Sequence, residues 1–381
     1  MNGLKVLLLL LISFELHAKP CKNIIQAFLE LYPHHDKEMI FTRLQNAKNK
    51  HKFMRGFIPY YYQEAYEARK LIPVHDKLKG TTGQIVGDAH VENFGFMINN
   101  DGKPILALND FDDVAEAPLY LDVMRLSQSA SYVDDVKQAK LIAAYKKGLE
   151  DSDYKFSAYI EKLKSKSEAG GVATKADYVK TDKGLEFTTK DLPVTTLEVK
   201  EVEKVLKAKF GTKAKLHDLY KTMKASGGSA YGNRFHLLAE FDGKVHFIEL
   251  KEIFDTGVVS QFAKATPNEQ RILTARDTFL GNNFDQKLDV IEVDDVAFQL
   301  RFKSEGNKSI DFGKVDEKEV HKVIEDEFYV LGQLHRKSLK DSPKEIKAYV
   351  KDLNTVSIKE WEESVKVMKQ KIKKAYDKAT E

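Results

Sequence analysis

The chain has 381 residues, of which 42% are hydrophobic, and this composition suits a globular protein with one large domain or two lobes. Its 61 basic and 58 acidic residues nearly cancel, which leaves a formal net charge of +3. Because a dedicated nucleic-acid binder carries a concentrated basic excess, this balance argues against that class of protein, and we expect no nucleic-acid partner. The single cysteine, Cys21, excludes an intramolecular disulfide.

The N-terminal segment, residues 1–18, has the pattern of a targeting sequence. Lys5 precedes an almost wholly apolar run over residues 6–14, and Leu16-His17-Ala18 follows. This pattern predicts a secretory signal peptide that is cleaved near Ala18, and hence a periplasmic or secreted protein. The apolar run is shorter than the roughly 20 residues of a comfortable transmembrane helix, so we expect no stable membrane span after cleavage. A retained membrane anchor is the alternative interpretation.

Two acidic motifs follow apolar segments in the first third of the chain. Residues 84–86, Gln-Ile-Val, lead into residues 87–95, Gly-Asp-Ala-His-Val-Glu-Asn-Phe-Gly. The apolar run 104–108 leads into residues 109–112, Asn-Asp-Phe-Asp, and the turn signal Asn-Asn-Asp-Gly lies between the two motifs at 99–102. We therefore predict that both acidic motifs lie at strand ends beside one another, where carboxylates can converge on a metal ion.

The residue types in these motifs indicate phosphoryl transfer. An Asp with an Asn five positions later, followed by an Asp-Phe pair, is how kinase-type phosphotransferases build a base and a magnesium site. Magnesium prefers hard oxygen ligands, so Asp110 is the predicted carboxylate ligand and Asn93 the predicted carbonyl ligand. Asp88 is then left to receive the proton of an attacking hydroxyl group. The alternative is that short acidic motifs between strands are merely turns.

The rest of the chain shows helical and strand patterns in succession. Helices are predicted over residues 36–50, 122–132 and 137–149, with an aromatic, buried segment at 53–62. Residues 152–224 are lysine-rich, with a loop near 168–171 between helices. Strand patterns then predict two hairpins, at 234–251 and 288–302, separated by a helix over 267–279. Two further helices are predicted over 317–339 and 358–376, the second with an apolar stripe that indicates core packing.

A glycine-rich segment precedes the first of these hairpins. Gly227, Gly228 and Gly232 allow backbone N–H groups to approach phosphate oxygens, and Ser229 adds a hydroxyl donor. Lys251, at the end of the returning strand, is placed to neutralise phosphate charge. The segment departs from the pattern G-x-G-x-x-G because Ser229 stands where the middle glycine would be. Its separation from Lys251 and its strand context are nevertheless typical of a kinase nucleotide lobe.

The order of the motifs predicts a rearranged fold. In protein kinases the glycine-rich loop and lysine precede the catalytic loop, whereas here they follow it. Chain termini often lie close together, so a circular permutation is physically allowed. We therefore predict an α+β, protein-kinase-like two-lobe fold that is circularly permuted. The expected units are a signal peptide (1–18), the first part of a helical catalytic lobe (19–150), a lysine-rich helical segment (151–225), a small β-rich nucleotide lobe (226–303) and C-terminal helices that return to the catalytic lobe (304–381).

The motifs together resemble the bacterial family called Domain of Unknown Function 2252, itself similar to aminoglycoside phosphotransferase-like kinases. The resemblance rests on the Gly-Asp-Ala-His and Asn-Asp-Phe-Asp motifs, on the spacing of Asp122 and Arg125, on the glycine-serine loop and on residues 277–281. It implies a catalytic Asp88, metal ligands at Asn93 and Asp110, phosphate binding by Lys251, and ATP and Mg²⁺ as cofactors. It also implies that Asp122 braces the catalytic loop.

At other positions the match to the pattern of this family and of the kinases is only partial. His90 matches the histidine of the Gly-Asp-x-His signature and is included among the predicted catalytic residues, but Val86 stands where such kinases often have another histidine. Glu269, at the start of the following helix, is the predicted acidic partner of Lys251. Arg55 matches an Arg-Gly element of the family, without a role that the sequence supplies.

The leading hypothesis is an exported kinase-like phosphotransferase that moves a phosphoryl group from ATP-Mg to an unknown hydroxyl acceptor, either a small molecule or a protein. A second hypothesis is a catalytically inactive kinase-fold protein that keeps the cleft for a ligand. A third is a metal-dependent hydrolase that uses Asp88, His90, Asp110 and Asp112 around a transition metal. The oligomeric state is not predicted.

Overall fold

A computed structural model describes residues 24–30, 37–182, 184–222 and 232–380. The predicted signal peptide lies outside these residues, as do three of the predicted phosphate-binding residues, Gly227, Gly228 and Ser229. Within them, no helix is both long enough and apolar enough to cross a membrane.

The described chain contains helices and antiparallel strands in a mixed order. The α-helices are α1 (24–30), α2 (Lys37–Gln45), α3 (Lys50–Gly56), α4 (Ile58–Glu67), α5 (Pro73–Leu78), α6 (Tyr120–Val133), α7 (Gln138–Glu150), α8 (Ala158–Gly170), α9 (Thr196–Phe210), α10 (Asn268–Leu280), α11 (Val320–Ser338), α12 (Pro343–Asn354) and α13 (Ile358–Thr380). The strands are β1 (Thr82–Ile85), β2 (Phe94–Ile98), β3 (Pro104–Leu108), β4 (Ala115–Pro118), β5 (Tyr178–Thr181), β6 (Gly184–Phe187), β7 (Lys215–Lys221), β8 (Arg234–Phe241), β9 (Lys244–Glu252), β10 (Leu288–Val293), β11 (Val296–Lys303) and β12 (Lys308–Ser309). Short 3₁₀ helices span Arg69–Leu71, Asn282–Phe284 and Phe312–Lys314.

Two small sheets carry the acidic motifs. β1 pairs with β4, and β2 forms a hairpin with β3 that is extended by β12, all antiparallel. The close approach of β12 depends on Gly95, because a Cβ there would lie 2.3 Å from the carbonyl oxygen of Lys308. Asp88 lies in the loop that follows β1 of the first small sheet, and Asp110 lies in the loop that follows β3 of the second.

The third sheet has five antiparallel strands in the order β10-β11-β9-β8-β7. One face is apolar: Leu237, Ile248 and Leu300 lie in a core that includes Val202 and Leu206 of α9. The other face carries charged side chains, because alternate residues of a strand point to opposite faces. Both α9 and β7 precede residue 226, so the sheet and its covering helix take in part of the lysine-rich segment.

The larger core joins the helices to the two small sheets. It includes Trp361 and Met368 from α13, Leu126 from α6 and Tyr145 from α7, all almost inaccessible to solvent. The apolar stripe predicted on the last helix is therefore core packing, as the sequence indicated. A mixed α+β fold is confirmed. The hairpin β8–β9 turns at Asp242 and Gly243, which both have positive φ, as the turn signal predicted.

Candidate functional site

One face of α6 holds the loop that carries Asp88. Asp122 is fully buried, and its carboxylate accepts backbone N–H groups of Val86 at 2.5 Å and of Gly87 at 3.0 Å. His335 from α11 lies 3.1 Å from the same carboxylate. Gly87 has φ +75, and a Cβ on it would lie 1.8 Å from the backbone oxygen of Asp113, so only glycine fits there. Asp122 therefore braces this loop, as the resemblance implied.

Arg125, one turn further along α6, binds Asp88 directly. Its Nη2 and Nε donate to Oδ1 of Asp88 at 2.6 and 3.2 Å, and Nη2 also donates to the Met54 carbonyl at 3.1 Å. The guanidinium is fully buried and lies over the ring of Tyr61, 4.4 Å from its centroid. Burial alone would raise the pKa of Asp88, but the charges of His90 and Arg125 outweigh it and hold that pKa well below its ordinary value. Asp88 is therefore a fixed carboxylate anion.

His90 lies on the other side of the Asp88 carboxylate. Its Nε2 is 3.3 Å from Oδ2 of Asp88, and its Nδ1 faces the Val91 carbonyl oxygen. The N–H of Val91 donates to the hydroxyl of Ser129, again from the same face of α6, at 3.1 Å. With Asp122, Arg125 and Ser129 at spacings of three and four residues, a single helical stripe positions the whole loop.

The second loop places two aspartates against a buried lysine. The Nζ of Lys251, at the end of β9, donates to both carboxylate oxygens of Asp110, at 3.0 and 2.9 Å, and is also paired with Asp112. Lys251 is 4% exposed, whereas the side chain of Asp110 is 41% exposed. Burial opposes the charged form of Asp110, yet Lys251 and Arg301 lower its pKa. Burial and the adjacent Asp110 raise the pKa of Asp112.

The two loops are joined through backbone contacts. The N–H of Asn109 donates to the carbonyl oxygen of Asn93 at 3.0 Å, and Nη1 of Arg301 donates to the Asn109 carbonyl at 2.6 Å. The amide nitrogen of Asn93 donates to the backbone oxygen of Asp88 at 3.0 Å. That bond leaves the Asn93 amide oxygen as the group able to bind a cation.

The segment that follows Asp112 is held by α10 and by the loop after β9. Arg271 is 3% exposed and donates to the carbonyl oxygens of Asp112 at 2.5 Å and of Val114 at 2.9 Å. Asp113 accepts the N–H of Gly257 at 2.7 Å. Burial, together with nearby carboxylates, raises the pKa of Asp113 to about 7.

A buried glutamate organises the charged face of the five-stranded sheet. Glu249, two residues before Lys251 on β9, is 2% exposed and accepts from Arg234 at 3.1 Å and from Arg301 at 2.5 Å. His236 lies 3.2 Å away. Burial opposes its charge, but Arg301 and the other cations hold the pKa of Glu249 well below its ordinary value. Neither Glu249 nor the contact of Arg125 with Asp88 was predicted from the sequence. The signals were a charged residue between Ile248 and Leu250 in a strand, and polar residues at helical spacing on α6.

Both loops open into one cavity of about 480 Å³, within the usual size range of small-molecule sites. Its acidic lining residues are Asp88, Glu92, Asp110, Asp112 and Asp113. Its basic lining residues are Lys52, Arg55, Lys175, Arg301, Lys303 and Lys308. Arg55 is paired with Glu92, which gives the Arg-Gly element of the sequence a contact at the cavity edge.

The donor set fits magnesium better than a tightly held transition metal. The described residues contain no group of three or more His, Cys, Asp and Glu side chains arranged to hold a metal ion. Magnesium in phosphotransferases needs only one or two carboxylates, because waters and substrate phosphates complete its shell. The partly exposed carboxylate of Asp110 and the amide oxygen of Asn93 are hard donors of this kind. A carboxylate has about four acceptor positions, so Asp110 can bind a cation while it accepts from Lys251.

The structure brings most of the predicted site together. Asp88, His90, Asn93 and Asp110 line the cavity, and Lys251 contacts Asp110 behind it. Gly232 precedes β8 and lies against Phe254, whose ring carbon would be 2.6 Å from a Cβ at that position. Glu269 is exposed on α10, so the structure does not bring it to Lys251; the lysine pairs with Asp110 and Asp112 instead.

The molecule is thus an α+β protein in which a buried lysine from an antiparallel sheet contacts an aspartate loop that lines a charged cavity. Residues 35–140 match the family described as "Uncharacterized protein conserved in bacteria (DUF2252)", which confirms the resemblance over that segment. The match includes both acidic loops and α6, and it ends before the five-stranded sheet. No curated protein and no solved structure matches the chain.

Proposed function

We propose that the protein is a permuted, kinase-like phosphotransferase that moves a phosphoryl group from ATP-Mg to a hydroxyl acceptor. The observation that supports this most directly is the contact of Lys251 with Asp110 and Asp112, beside a loop that carries Asp88 and Asn93. A lysine that neutralises phosphate charge, a metal-binding Asp, an Asn and a separate hydroxyl-orienting Asp are the parts that kinases use for phosphoryl transfer.

The arrangement of the sheet supports the same proposal. Lys251 lies on β9, the third strand of its sheet in chain order, and the glycine-rich segment lies between the first two strands, β7 and β8. A helix, α10, and two more strands follow. In protein kinases the lysine is also on the third strand of the small lobe, after the glycine-rich loop. The catalytic motifs precede this unit here, which is why we propose a permuted relative of that fold.

Asp88 acts in this proposal as a hydrogen-bond acceptor that orients the hydroxyl group. Arg125 and His90 hold its carboxylate in place and lower its pKa, so it is a poor store for a proton before the transition state. Phosphoryl transfer has a loose transition state and relies mainly on positioning and charge neutralisation. A fixed anion next to the acceptor oxygen meets that need, and the proton is transferred late.

The metal supplies charge neutralisation on the donor phosphates, and Asp110 and Asn93 would hold it. Lys251 would contribute a second positive charge at the same place. Its usual partner, a glutamate from the following helix, has no counterpart in the described contacts, because α10 contributes Arg271 to the Asp112 carbonyl instead. Glu249 and Arg301 connect the sheet to the Asp110 loop in its place. Export of the protein remains a prediction from residues 1–18.

A thermal-shift experiment on the chain from Lys19 onward tests the proposal. ATP with Mg²⁺ at about 100 times its dissociation constant should add roughly 2.7 kcal/mol to the free energy of unfolding. Asp110→Asn should lose the magnesium-dependent part of this gain. Asp153→Asn, a change at an exposed aspartate outside the cavity, should keep it. An unchanged melting temperature with every nucleotide triphosphate would contradict ATP use, and would favour the ligand-binding alternative.

A further inference from the structure

The cavity has a basic wall on the side where β11 runs into β12. We define the basic wall as Lys175, Arg301, Lys303 and Lys308, which all line the cavity. Arg301 and Lys303 come from β11, Lys308 from β12, and Lys175 from the segment after α8. None of these residues belongs to the proposed metal site, and the proposed phosphoryl transfer gives three of them, the lysines, no task.

The positive charge of the basic wall is only partly balanced by protein carboxylates. Arg301 is bonded to Glu249 at 2.5 Å, but Lys303 is 3.7 Å from the same carboxylate. Lys308 is 3.8 Å from Glu305. Distances of 3.7 to 3.8 Å are too long for hydrogen bonds, so these two ammonium groups keep donors available to a ligand.

Buried donors at the same place also lack acceptors. The Nε of Arg301 and the side-chain nitrogen of Asn109 are shielded from solvent and have no hydrogen-bond partner among the described residues. Both residues line the cavity. An unmatched buried donor costs about 1–3 kcal/mol, which a ligand rich in acceptor atoms would recover.

The backbone of this wall is already occupied, so a ligand meets side chains there. The segment 171–175 lies along the connection between β11 and β12. Within it, the Lys175 N–H donates to the Lys303 carbonyl at 3.2 Å, and the Gly171 and Ala173 carbonyls accept the N–H groups of Gly306 and Glu305 at 3.0 and 2.7 Å. The wall therefore offers ammonium and guanidinium donors, which suit an oxyanion better than an uncharged ring.

Two residues of the basic wall come from β11, which lies on the opposite edge of β9 from β8, the strand that follows the glycine-rich segment in the chain. That segment connects β7 and β8, whereas β11 flanks Lys251 on the other edge of β9. A donor nucleotide whose phosphates lie on the β8 side of Lys251 would leave the basic wall free for a different group. The wall and Asp88 nevertheless line the same cavity, so one acceptor molecule can reach both.

We infer that the basic wall is an oxyanion subsite and that the acceptor is an anionic molecule, with a phosphate-type group bound by Arg301, Lys303 and Lys308 and its hydroxyl group near Asp88. The subsite itself does not depend on the proposed function, whereas its assignment to the acceptor rests on it. Arg301 first, and burial second, lower the pKa of Lys303 to about 7. A bound oxyanion would restore the full charge of this lysine.

Calorimetric titration with pyrophosphate in EDTA tests the subsite without nucleotide or metal. Lys303→Met and Lys308→Met should each weaken binding about tenfold, since each removes one charge-assisted contact. Lys204→Met, a change at a lysine on α9 whose side chain is 76% exposed, should leave the affinity unchanged. No saturable binding, or equal affinity in all three variants, would overturn the proposal.

Two further arms separate the subsite from the nucleotide site. Asp110→Asn should bind pyrophosphate at least as tightly as the unaltered protein while losing magnesium-dependent ATP binding, so failure of one proposal is distinguishable from failure of the other. If saturating pyrophosphate leaves the ATP-Mg affinity unchanged, the oxyanion belongs to the acceptor. If the two compete, the wall binds the donor's phosphates, and the acceptor assignment is wrong.

The pH dependence of pyrophosphate affinity distinguishes a Lys303 that contacts the ligand from one that is only structural. Lys303 faces Arg301 on its own strand, Glu249 from β9, Arg234 from β8 and Lys175 from the segment after α8. Between pH 6 and 8.5 its charge is lost, so the affinity ratio between the unaltered protein and Lys303→Met should fall toward one. The ligand's own titration affects both proteins equally and cancels in this ratio. A constant ratio would contradict a direct contact.

Discussion

The ion pair of Arg125 with Asp88 gives the sharpest test of how the first loop is held. Replacing Arg125 by methionine removes the two hydrogen bonds to Asp88 and the one to the Met54 carbonyl, and leaves a side chain of similar length to pack on Tyr61. Asp88 then loses the guanidinium counter-charge while it stays largely buried, with 19% of its side chain exposed. We expect a large loss of stability from this single change.

The magnitude follows from the burial of the two partners. Removing one member of a buried ion pair costs about 3–5 kcal/mol, because the other charge remains without compensation. Asp88 keeps His90 and some water, so the lower end, about 3 kcal/mol, is expected for Arg125→Met. Asp88→Asn should cost a similar amount, since it leaves the fully buried guanidinium unpaired. The double variant removes both charges, so its loss of unfolding free energy should be smaller than the sum of the two single-variant losses by about 2 kcal/mol.

Urea unfolding of the four proteins at pH 7, followed by circular dichroism, measures this coupling. Because the native pKa of Asp88 is depressed, the stability from the pair is fully present above the ordinary carboxyl pKa of about 4 and is lost as the pH falls below it. The difference in the free energy of unfolding between the unaltered protein and Arg125→Met should therefore be constant from pH 7 to 5 and decrease below pH 4. If the loss in the double variant equals the sum of the two single-variant losses to within about 0.5 kcal/mol, the reasoning is refuted.

Three further predictions concern the second loop and the turn before Asp88. Lys251→Met should lower the free energy of unfolding by about 3 kcal/mol at pH 8 and by less at pH 5, because protonation of Asp110 or Asp112 at the lower pH removes the repulsion between the two carboxylates. The midpoints of urea unfolding at the two pH values measure this difference. Asp113 holds a proton in the folded state between about pH 4 and 7 that the unfolded state releases, so stability should fall as the pH rises through that window. Asp113→Asn should flatten this slope, and an unchanged slope would contradict the raised pKa. Gly87→Ala should cost more than about 3 kcal/mol or prevent folding, since its Cβ would overlap a backbone oxygen. Gly211→Ala is the matched control: φ is +93 there but no atom lies within 4 Å, so about 1 kcal/mol in thermal unfolding is expected.

Local patterns were sufficient to predict much of the secondary structure. The hairpins over residues 234–251 and 288–302 and the helices around 267–279 and 317–339 are confirmed, because period-2 and period-3.6 patterns act over short distances. The helix predicted over 36–50 was wrong in extent: α2 ends at Gln45, and Asn49 caps a new helix by accepting the N–H of Lys52. α12 was not predicted.

The contacts that complete the site were beyond local patterns. Val123, Leu126 and Ala130 give α6 an apolar face at helical spacing, whereas the polar stripe on the same helix positions the Asp88 loop. In the sequence, Glu249 is a single charged residue within a strand, whereas in the fold its partners Arg234 and Arg301 come from β8 and β11. Pairings between distant segments depend on the register of the whole sheet, which a single sequence does not specify.

The position of α9 and β7 determines what can be removed from this protein. These elements lie in the segment that precedes the glycine-rich turn, and they supply the fifth strand and the cover of the sheet's apolar face. A fragment that starts at residue 226 would present Leu237, Ile248 and Leu300 to water and would leave the edge of β8 unpaired. The smallest unit of this sheet that can be excised in soluble form should therefore begin before Thr195, the cap of α9. Shortening the lysine-rich segment would act on the sheet that carries Lys251 and hence on the second aspartate loop.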